Sequence, residues 1–518
     1  MQRHIASLVA CSAMASISAW SQTTVHPNII MFLVDDMGWQ DTSVPFYNDE
    51  LTPLNKRFHT PNMERMAQMG VRFTEAYACA ISSPTRCSLM SGMNASRHRV
   101  TNWTLELNEK TDESSDVIAL PEWNFNGIQP DSTEGKINNS TAITSLPQIL
   151  RENGYWTIHC GKAHFGARTT PGANPINMGF DVNIAGGANG APGSYLGTKN
   201  FGEGSRFAVQ GLEKYYGQDI FITEALTREA LTEMEKAVKM NKPFYLYMSH
   251  YAVHTPYDDD KRFSDKYRGK YDEQLKTGLN ESEAKYAALV EGMDKSLGDI
   301  LDYLQKNPEV AKNTILLFMS DNGGQGLGYI RQGIPNHDQN YPARGGKGSA
   351  FMGGVREPMM VYWPGVTKPN TECDQRVIIE DFYPTILEMA GVKKYKTHQV
   401  VDGVSFADVL KHPETRKDRV LIWHFPNLWG ESQNLKEGYG AYSAIMKGDY
   451  HLIYTWETRQ LRLYNVKEDI GEQHDLAQAM PDKVKELAAE LSDYLRERDA
   501  QRPSLKATGE VIPFPDGK

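Results

Sequence analysis

The chain predicts an α/β fold: a doubly wound sheet with helices between its strands, followed by a smaller antiparallel α+β unit. Three observations predict it. Short β-rich apolar runs end abruptly in polar residues, amphipathic helical patterns separate them, and after about residue 395 the pattern changes to short strand-like stretches. Continuous apolar runs of this length suit strands buried on both faces of a parallel sheet. Alternating strand and helix, with polar clusters at strand ends, places a site at the carboxyl edge of that sheet.

Each element follows in order. Asn28-Ile29-Ile30-Met31-Phe32-Leu33-Val34 reads as the first strand and runs into Asp35-Asp36. Ser82-Ser83-Pro84-Thr85-Arg86, continuing through Cys87 to Gly92, reads as a helix start and stop. Pro84 suits the first helical position, and Gly92 suits the end. Ser82 is then expected just outside a helix N-terminus, where unpaired N–H groups and the dipole attract an anion. Arg86 adds a planar fork suited to an oxyanion.

Trp156 to His159 leads to Lys162 and His164, and Phe244 to Met248 leads toward His250 and His254. Tyr286, Leu289, Val290, Met293, Leu297, Ile300, Leu301 and Leu304 form one core-facing helical stripe. Thr314 to Met319 runs into Ser320-Asp321-Asn322-Gly323-Gly324. Tyr442 to Met446, Tyr450 to Tyr454 and Leu461 to Tyr464 read as late strands, and a final amphipathic helix starts at Pro481. The expected division is a leader over 1–21, a catalytic α/β domain over 22–395 and an α+β subdomain over 396–518.

The leader expectation rests on a short apolar, small-residue run from Ile5 to Trp20 with Ala19-Trp20-Ser21 before Gln22. Leu8-Val9-Ala10-Cys11 offers a lipoprotein box as the alternative. No later run approaches the ~20 apolar residues of a membrane span. The expectation is therefore an exported protein, periplasmic first, with no integral membrane segment. A net charge of −10 argues against a nucleic-acid binder. Cys79, Cys87, Cys160 and Cys373 are too few and scattered for a disulfide scaffold and lack zinc-site pairing.

Two acidic pairs at strand ends, Asp35-Asp36 and Asp321-Asn322, favour one shared cation. Their oxygen donors suit calcium or magnesium over zinc. In a chain of net charge −10, an anion at this edge needs positive charge gathered locally, and Arg86, Lys162 and Lys347 are the candidates.

The stretch from Ser82 to Gly92 resembles the signature of the type I sulfatases, Cys or Ser, any residue, Pro, any residue, Arg. Gly161-Lys162-Ala163-His164-Phe165-Gly166 is similar to that family's Lys-His motif. Tyr251-Ala252-Val253-His254-Thr255-Pro256 resembles its later His-x-Pro segment, and Gly345-Gly346-Lys347-Gly348 its final lysine loop. All appear in the family's order.

The resemblance implies an alkaline-phosphatase-like doubly wound mixed sheet with a smaller C-terminal antiparallel α+β subdomain. It implies that a maturase oxidises Ser82 to formylglycine (3-oxoalanine), and that Asp35, Asp36, Ser82, Asp321 and Asn322 surround a calcium ion. It also implies that His254, helped by Lys347, protonates the leaving alcohol, and that His164 acts as the base that re-forms the aldehyde.

The substrate class expected is a sulfated glycan attacked from its end, first a galactose or N-acetylgalactosamine sulfate, with N-acetylglucosamine sulfate as another possibility. His98 and Arg99 after the signature helix, and His337, Asp338, Asn340 and Arg344 before Lys347, are the candidate sugar contacts. Trp103, Trp123 and Tyr195 lie in other loops around the site. The competing readings are a phosphomonoesterase or phosphodiesterase of the alkaline phosphatase superfamily, and an inactive glycan-binding protein on the same scaffold.

Overall fold

The computed structural model describes residues 26–48, 50–326, 338–430 and 434–518. The expected leader, Cys11 and His337 lie outside them. The core is one mixed sheet of eight strands: β1 Asn28–Val34, β2 Val71–Phe73, β3 Trp156–Gly161, β4 Val182–Ile184, β5 Phe244–Ser249, β6 Thr314–Ser320, β7 Met359–Tyr362 and β8 Thr371–Cys373. Across the sheet the order is β8-β2-β7-β6-β1-β5-β3-β4. Only β7 runs against its neighbours; the other pairings among these strands are parallel.

Every residue of β1, β5 and β6 is buried, as continuous apolar runs in the middle of a sheet require. Phe32 of β1 stacks on Phe318 of β6 with centroids 5.6 Å apart. β1 pairs with β6 on one side and β5 on the other, and the chain crosses between these sides. Their carboxyl ends therefore flank a topological switch point, the place where such sheets leave a crevice for ligands.

Three helices matter for the site and its support. α1 spans Ser82–Ser91, α2 Ile222–Lys239 and α3 Glu281–Lys306. α3 is capped by the Asn280 side chain, which accepts from the Glu283 N–H, and it buries the predicted stripe from Tyr286 to Leu304. α2 and α3 pack on one another.

A second, four-stranded antiparallel sheet follows: β9 Leu421–Phe425, β10 Tyr442–Lys447, β11 Tyr450–Thr455 and β12 Gln460–Asn465. α4, Pro481–Glu497, lays Leu487, Leu491 and Leu495 into a separate core with Leu452, Trp456 and Leu463. This sheet is tied to the first half of the chain near the signature: Trp423 Nε1 of β9 donates to the Ala78 carbonyl at 2.9 Å. No helix among the described residues is long and apolar enough to cross a membrane.

Candidate active site

Four neighbouring strand ends supply the site. β1 delivers Asp35 and Asp36, β6 delivers Asp321 and Asn322, β3 leads into Lys162 and His164, and β5 leads through Ser249 to His254. Gly161 permits the close approach of β3 and β5. Its φ is +107°, and a Cβ there would stand 1.8 Å from the Ser249 carbonyl oxygen, so any side chain would push Lys162 out of place. Asp36 and His164 both hold left-handed backbone, with φ of 60° and 58°, a local cost often found where function sets the conformation.

α1 begins at Ser82 itself, after Ile81 in an extended cap conformation, two residues earlier than the start expected at Pro84. Proline lacks only an N–H that is unpaired anywhere in the first turn, so Pro84 fits there equally well. Gly92 ends the helix with φ +68°, as the sequence predicts.

Ser82 Oγ stands where these elements converge. It lies 2.5 Å from Asp321 Oδ2, 3.0 Å from Asp35 Oδ1 and 3.4 Å from Asn322 Oδ1, and it accepts from Lys162 Nζ at 2.8 Å. Lys162 Nζ also donates to both oxygens of Asp35, at 2.7 and 2.8 Å. Arg86, fully buried, donates from Nε and Nη2 to Asp321 Oδ2 at 3.0 and 2.7 Å. Its Nη1 donates to Ser249 Oγ at 2.5 Å and to the Lys162 carbonyl at 3.2 Å. Lys347 Nζ and Asn322 Nδ2 each donate to Asp36 Oδ1 at 2.7 Å, and His254 Nε2 stands 3.6 Å from Asp36 Oδ2. His164 Nε2 is 2.8 Å from the Thr104 carbonyl, and Gly190 leaves room for its ring, since a Cβ there would meet it at 2.5 Å.

Burial sets the protonation balance. It pushes the Asp35 carboxyl up to about 8 even with Lys162 against it, and it brings Lys162 down to about 8. Burial also works against the charged forms of Asp36 and Asp321. Lys347 and His254 outweigh it at Asp36, and Arg86 and Lys162 at Asp321, so both carboxylates stay below their ordinary range. His254 is held down to about 3 by burial, with Asp36 pulling upward, and His164 is also well depressed.

The residues fit a hard divalent cation. Carboxylate oxygens of Asp35, Asp36 and Asp321 lie within 4.8 Å of one another, and Asp36 Oδ2 is buried without a hydrogen-bond partner. Three carboxylates and the Asn322 amide are an oxygen-only donor set, as calcium or magnesium take. The charges of Asp35, Asp36 and Asp321 match those of Arg86, Lys162 and Lys347, so a divalent ion would turn a formally neutral cluster positive and ready for an anion.

Above this floor opens a cavity of about 660 Å³. Ser82, Lys162, His164, His254 and Lys347 form its base, so the six expected catalytic positions converge, with Arg86 just beneath. A glycine-rich loop, residues 186–193, also reaches it, through Gly190, Ala191, Pro192 and Gly193.

The expected sugar contacts are placed differently. His98 is fully buried, its Nε2 3.0 Å from Ser88 Oγ and its Nδ1 accepting from the Val100 N–H at 3.0 Å; it braces α1 and does not line the cavity. Arg99 points to Asp499 at 3.7 Å. Asn340 bonds the backbone of Gly324 and Gly345 and holds the Lys347 loop in place. Arg344 is occupied by Glu437 and the carbonyls of Lys436 and Glu472. With Asp338 it lines a separate groove that adjoins the cavity at Gln325. Trp123 is buried with Nε1 on Asp112, and Tyr195 is buried with its hydroxyl against the carbonyls of Tyr251 and His254.

Trp103 does line the cavity, and it is joined there by Trp429, Phe207, Tyr257 and Gln325, which no motif had marked. Tyr257 and Gln325 directly follow the segments ending at Pro256 and Gly324, whereas Phe207 and Trp429 reach the site only through long-range placement.

The chain is similar to known proteins over most of its length. The profile of the family described as Sulfatase matches residues 27–392, and one described as N-sulphoglucosamine sulphohydrolase, C-terminal, matches residues 347–501. A protein named Sulfatase from Formosa agariphila is 28% identical, the match covering 97% of this chain and 94% of that one. The N-acetylgalactosamine-6-sulfatase of Homo sapiens is 28% identical over 74% of this chain and 66% of its own. Among solved structures, Ps i-CgsB in complex with k-i-k-neocarrahexaose aligns with a TM-score of 0.66 at 24% identity, over 91% of this chain and 93% of that chain. A protein in complex with its substrate D-glucosamine-2-N,6-O-disulfate aligns with a TM-score of 0.61 at 20% identity, over 92% of this chain and 98% of that chain.

Proposed function

Because the chain belongs to the sulfatase family, we propose that it hydrolyses the sulfate ester of a glycan through a formylglycine made from Ser82. The observation that carries this reading is the position of Ser82 Oγ, at the cavity base within hydrogen-bond reach of Asp35, Asp321 and Lys162. Oxidised by a maturase, Ser82 would supply an aldehyde whose hydrate is a nucleophile with a built-in exit for the product. Calcium, held by Asp35, Asp36, Asp321 and Asn322, would supply Lewis-acid charge beside it.

The chain's own groups do the rest. Lys162 and Lys347 present ammonium groups to the sulfuryl oxygens, and Arg86 fixes Asp321 and the end of β5 beneath them. His254, beside Lys347 against Asp36, gives its proton to the departing sugar oxygen. Burial first, then the charges of Lys347 and Lys162, keep this imidazole neutral, and a sulfate anion in the cavity together with Asp36 favours its charged form. His164, with Nε2 engaged by Thr104, takes up a proton when the site resets.

The likeness to N-acetylgalactosamine-6-sulfatases supports a galactose or N-acetylgalactosamine sulfate as substrate, and export to the periplasm suits that diet. The test is sulfate release from sulfated galactose, N-acetylgalactosamine and N-acetylglucosamine by enzyme co-expressed with a maturase. Wild type is expected to release sulfate and Ser82→Ala to release none while melting at the same temperature. Equal turnover by Ser82→Ala would refute the reading.

A further inference from the structure

We propose that Tyr195 is a positioning residue for His254, and that its hydroxyl holds the imidazole where it can protonate the departing sugar oxygen. This rests on the sulfatase reading above and deepens it, by naming a group that acts on the reaction only through the acid.

The segment that carries His254 is tied down in two separate ways. Up to Val253 it is bound to the end of β1: the Val253 N–H donates to the Asp35 carbonyl at 2.6 Å, and the Asp35 N–H to the Ala252 carbonyl at 2.8 Å. These bonds keep the segment beside the carboxylates and stop one residue short of His254. Residues 251–254 then form a turn, closed by the His254 N–H on the Tyr251 carbonyl at 3.0 Å. The Tyr195 hydroxyl sits on both carbonyls of this turn, 2.6 Å from the Tyr251 oxygen and 2.7 Å from the His254 oxygen, so its one hydrogen is shared between them.

The ring follows from the backbone. The His254 carbonyl belongs to the peptide that leads into Thr255, and the Thr255 carbonyl lies 2.7 Å from His254 Nδ1. A carbonyl can only accept, so Nδ1 carries the hydrogen of that bond. Nε2 is left as the nitrogen that turns to Asp36. Rotation of the 254–255 peptide would swing the ring, and the Tyr195 hydroxyl grips that peptide.

Tyr195 is itself immobilised. Its ring is fully buried and stacks on Phe221 with centroids 5.3 Å apart. Its N–H donates to Asp258 Oδ2 at 2.9 Å, and its carbonyl accepts from the Ile222 N–H at 2.7 Å, where α2 begins. Asp258 lies four residues after His254, so the two segments clasp each other: the Asp258 side chain holds the Tyr195 backbone, and the Tyr195 side chain holds the His254 backbone. A buried phenol needs a partner for its hydroxyl, and here the partners are carbonyls of the acid's own turn.

The experiment measures kcat and KM of matured wild type, Tyr195→Phe, His254→Ala and the double variant on two esters. One is 4-nitrophenyl sulfate; the other is the fastest substrate among galactose 6-sulfate, N-acetylgalactosamine 6-sulfate and N-acetylglucosamine 6-sulfate. Tyr195→Phe keeps the stacked ring and removes only the hydroxyl. It is expected to lower kcat on the sugar sulfate about fivefold to tenfold, the scale of one neutral hydrogen bond, with KM within about twofold. On 4-nitrophenyl sulfate kcat should change by less than about twofold, because an acidic phenol leaves without a proton. The double variant should be no slower on the sugar than His254→Ala alone, since the hydroxyl then has nothing left to position. Equal losses on both esters, or a Tyr195→Phe factor that multiplies fully onto that of His254→Ala, would overturn the inference by showing that the hydroxyl serves the fold alone. Should Tyr195→Phe fail to fold, Asp258→Asn, which weakens the far end of the clasp, carries the same comparison under the same criteria. A wild type that releases sulfate from none of these esters would instead count against the sulfatase reading.

Discussion

Replacing Arg86 by lysine keeps the charge and removes the fork, which isolates what the fork contributes. Arg86 is fully buried and divides its donors among three strand ends, two on Asp321 and one each on Ser249 Oγ and the Lys162 carbonyl. A lysine ammonium at this position can serve Asp321 or Ser249 but does not span both. One charge-assisted bond to Asp321 and the bonds across to β5 and β3 are lost. With about 1.5–3 kcal/mol for the first and about 1 kcal/mol for each of the others, the loss is about 3–5 kcal/mol. In a chain of 518 residues, at about 2 cal/mol/K of unfolding entropy per residue, each kcal/mol moves the melting point by about 1 °C, so Arg86→Lys should melt roughly 3–5 °C below wild type. Activity should fall further than stability explains, because Lys162 loses the carbonyl contact that fixes its position. The assay is thermal unfolding with calcium in excess, paired with kcat/KM at a temperature where the variant is folded. A variant that matches wild type in both would show that the fork holds nothing together and would refute this account of the base.

Other expectations follow from the same geometry. Chelation should abolish turnover and calcium should restore it, while Asp321→Ala should stay inactive at any calcium level; stoichiometric zinc in active protein would favour the phosphatase reading instead. His254→Ala should slow sugar sulfates by about 10²–10⁴-fold but aryl sulfates with acidic phenols much less, since only the poor leaving group needs the proton; equal losses would remove His254 from that role. His98 is buried neutral, its pKa brought to about 3 by burial. The unfolded chain therefore binds a proton below about pH 6.5 that the folded one refuses, and this histidine's contribution is present above that pH and lost as pH falls. His98→Asn should flatten the decline of stability between about pH 6 and 4 by up to about 1.4 kcal/mol per unit, read by urea unfolding, and an unchanged slope would contradict the neutral brace.

Much of the site was legible because its residues sit where continuous apolar runs stop. Asp35, Asp36, Asp321 and Asn322 are the first polar residues after two central strands, and a buried parallel strand can present polar groups only at its end. Lys162, His164 and His254 were found the same way, with motif likeness adding their roles. The reversed strand β7 was not distinguishable, because Met359-Met360-Val361-Tyr362 carries no mark of direction. β9 was missed for a similar reason: Leu421-Ile422-Trp423-His424-Phe425 shows no alternation, being buried on both sides between two cores.

His98, Asn340 and Arg344 find structural partners because proximity in sequence says nothing about where a polar side chain bonds. All three are close to catalytic residues along the chain, yet each spends its hydrogen bonds on structure. Trp429, remote from every motif, reaches the cavity only through the packing of the C-terminal sheet.

The central claim is that sulfate release depends on an aldehyde at position 82. Mass spectrometry of the peptide spanning Ser82, taken from a preparation whose sulfate release has been measured, tests it most directly. The account predicts a loss of two hydrogens at Ser82, in a fraction of molecules that rises with maturase co-expression in proportion to activity. Full activity from protein whose Ser82 peptide has only the unmodified serine mass would contradict it.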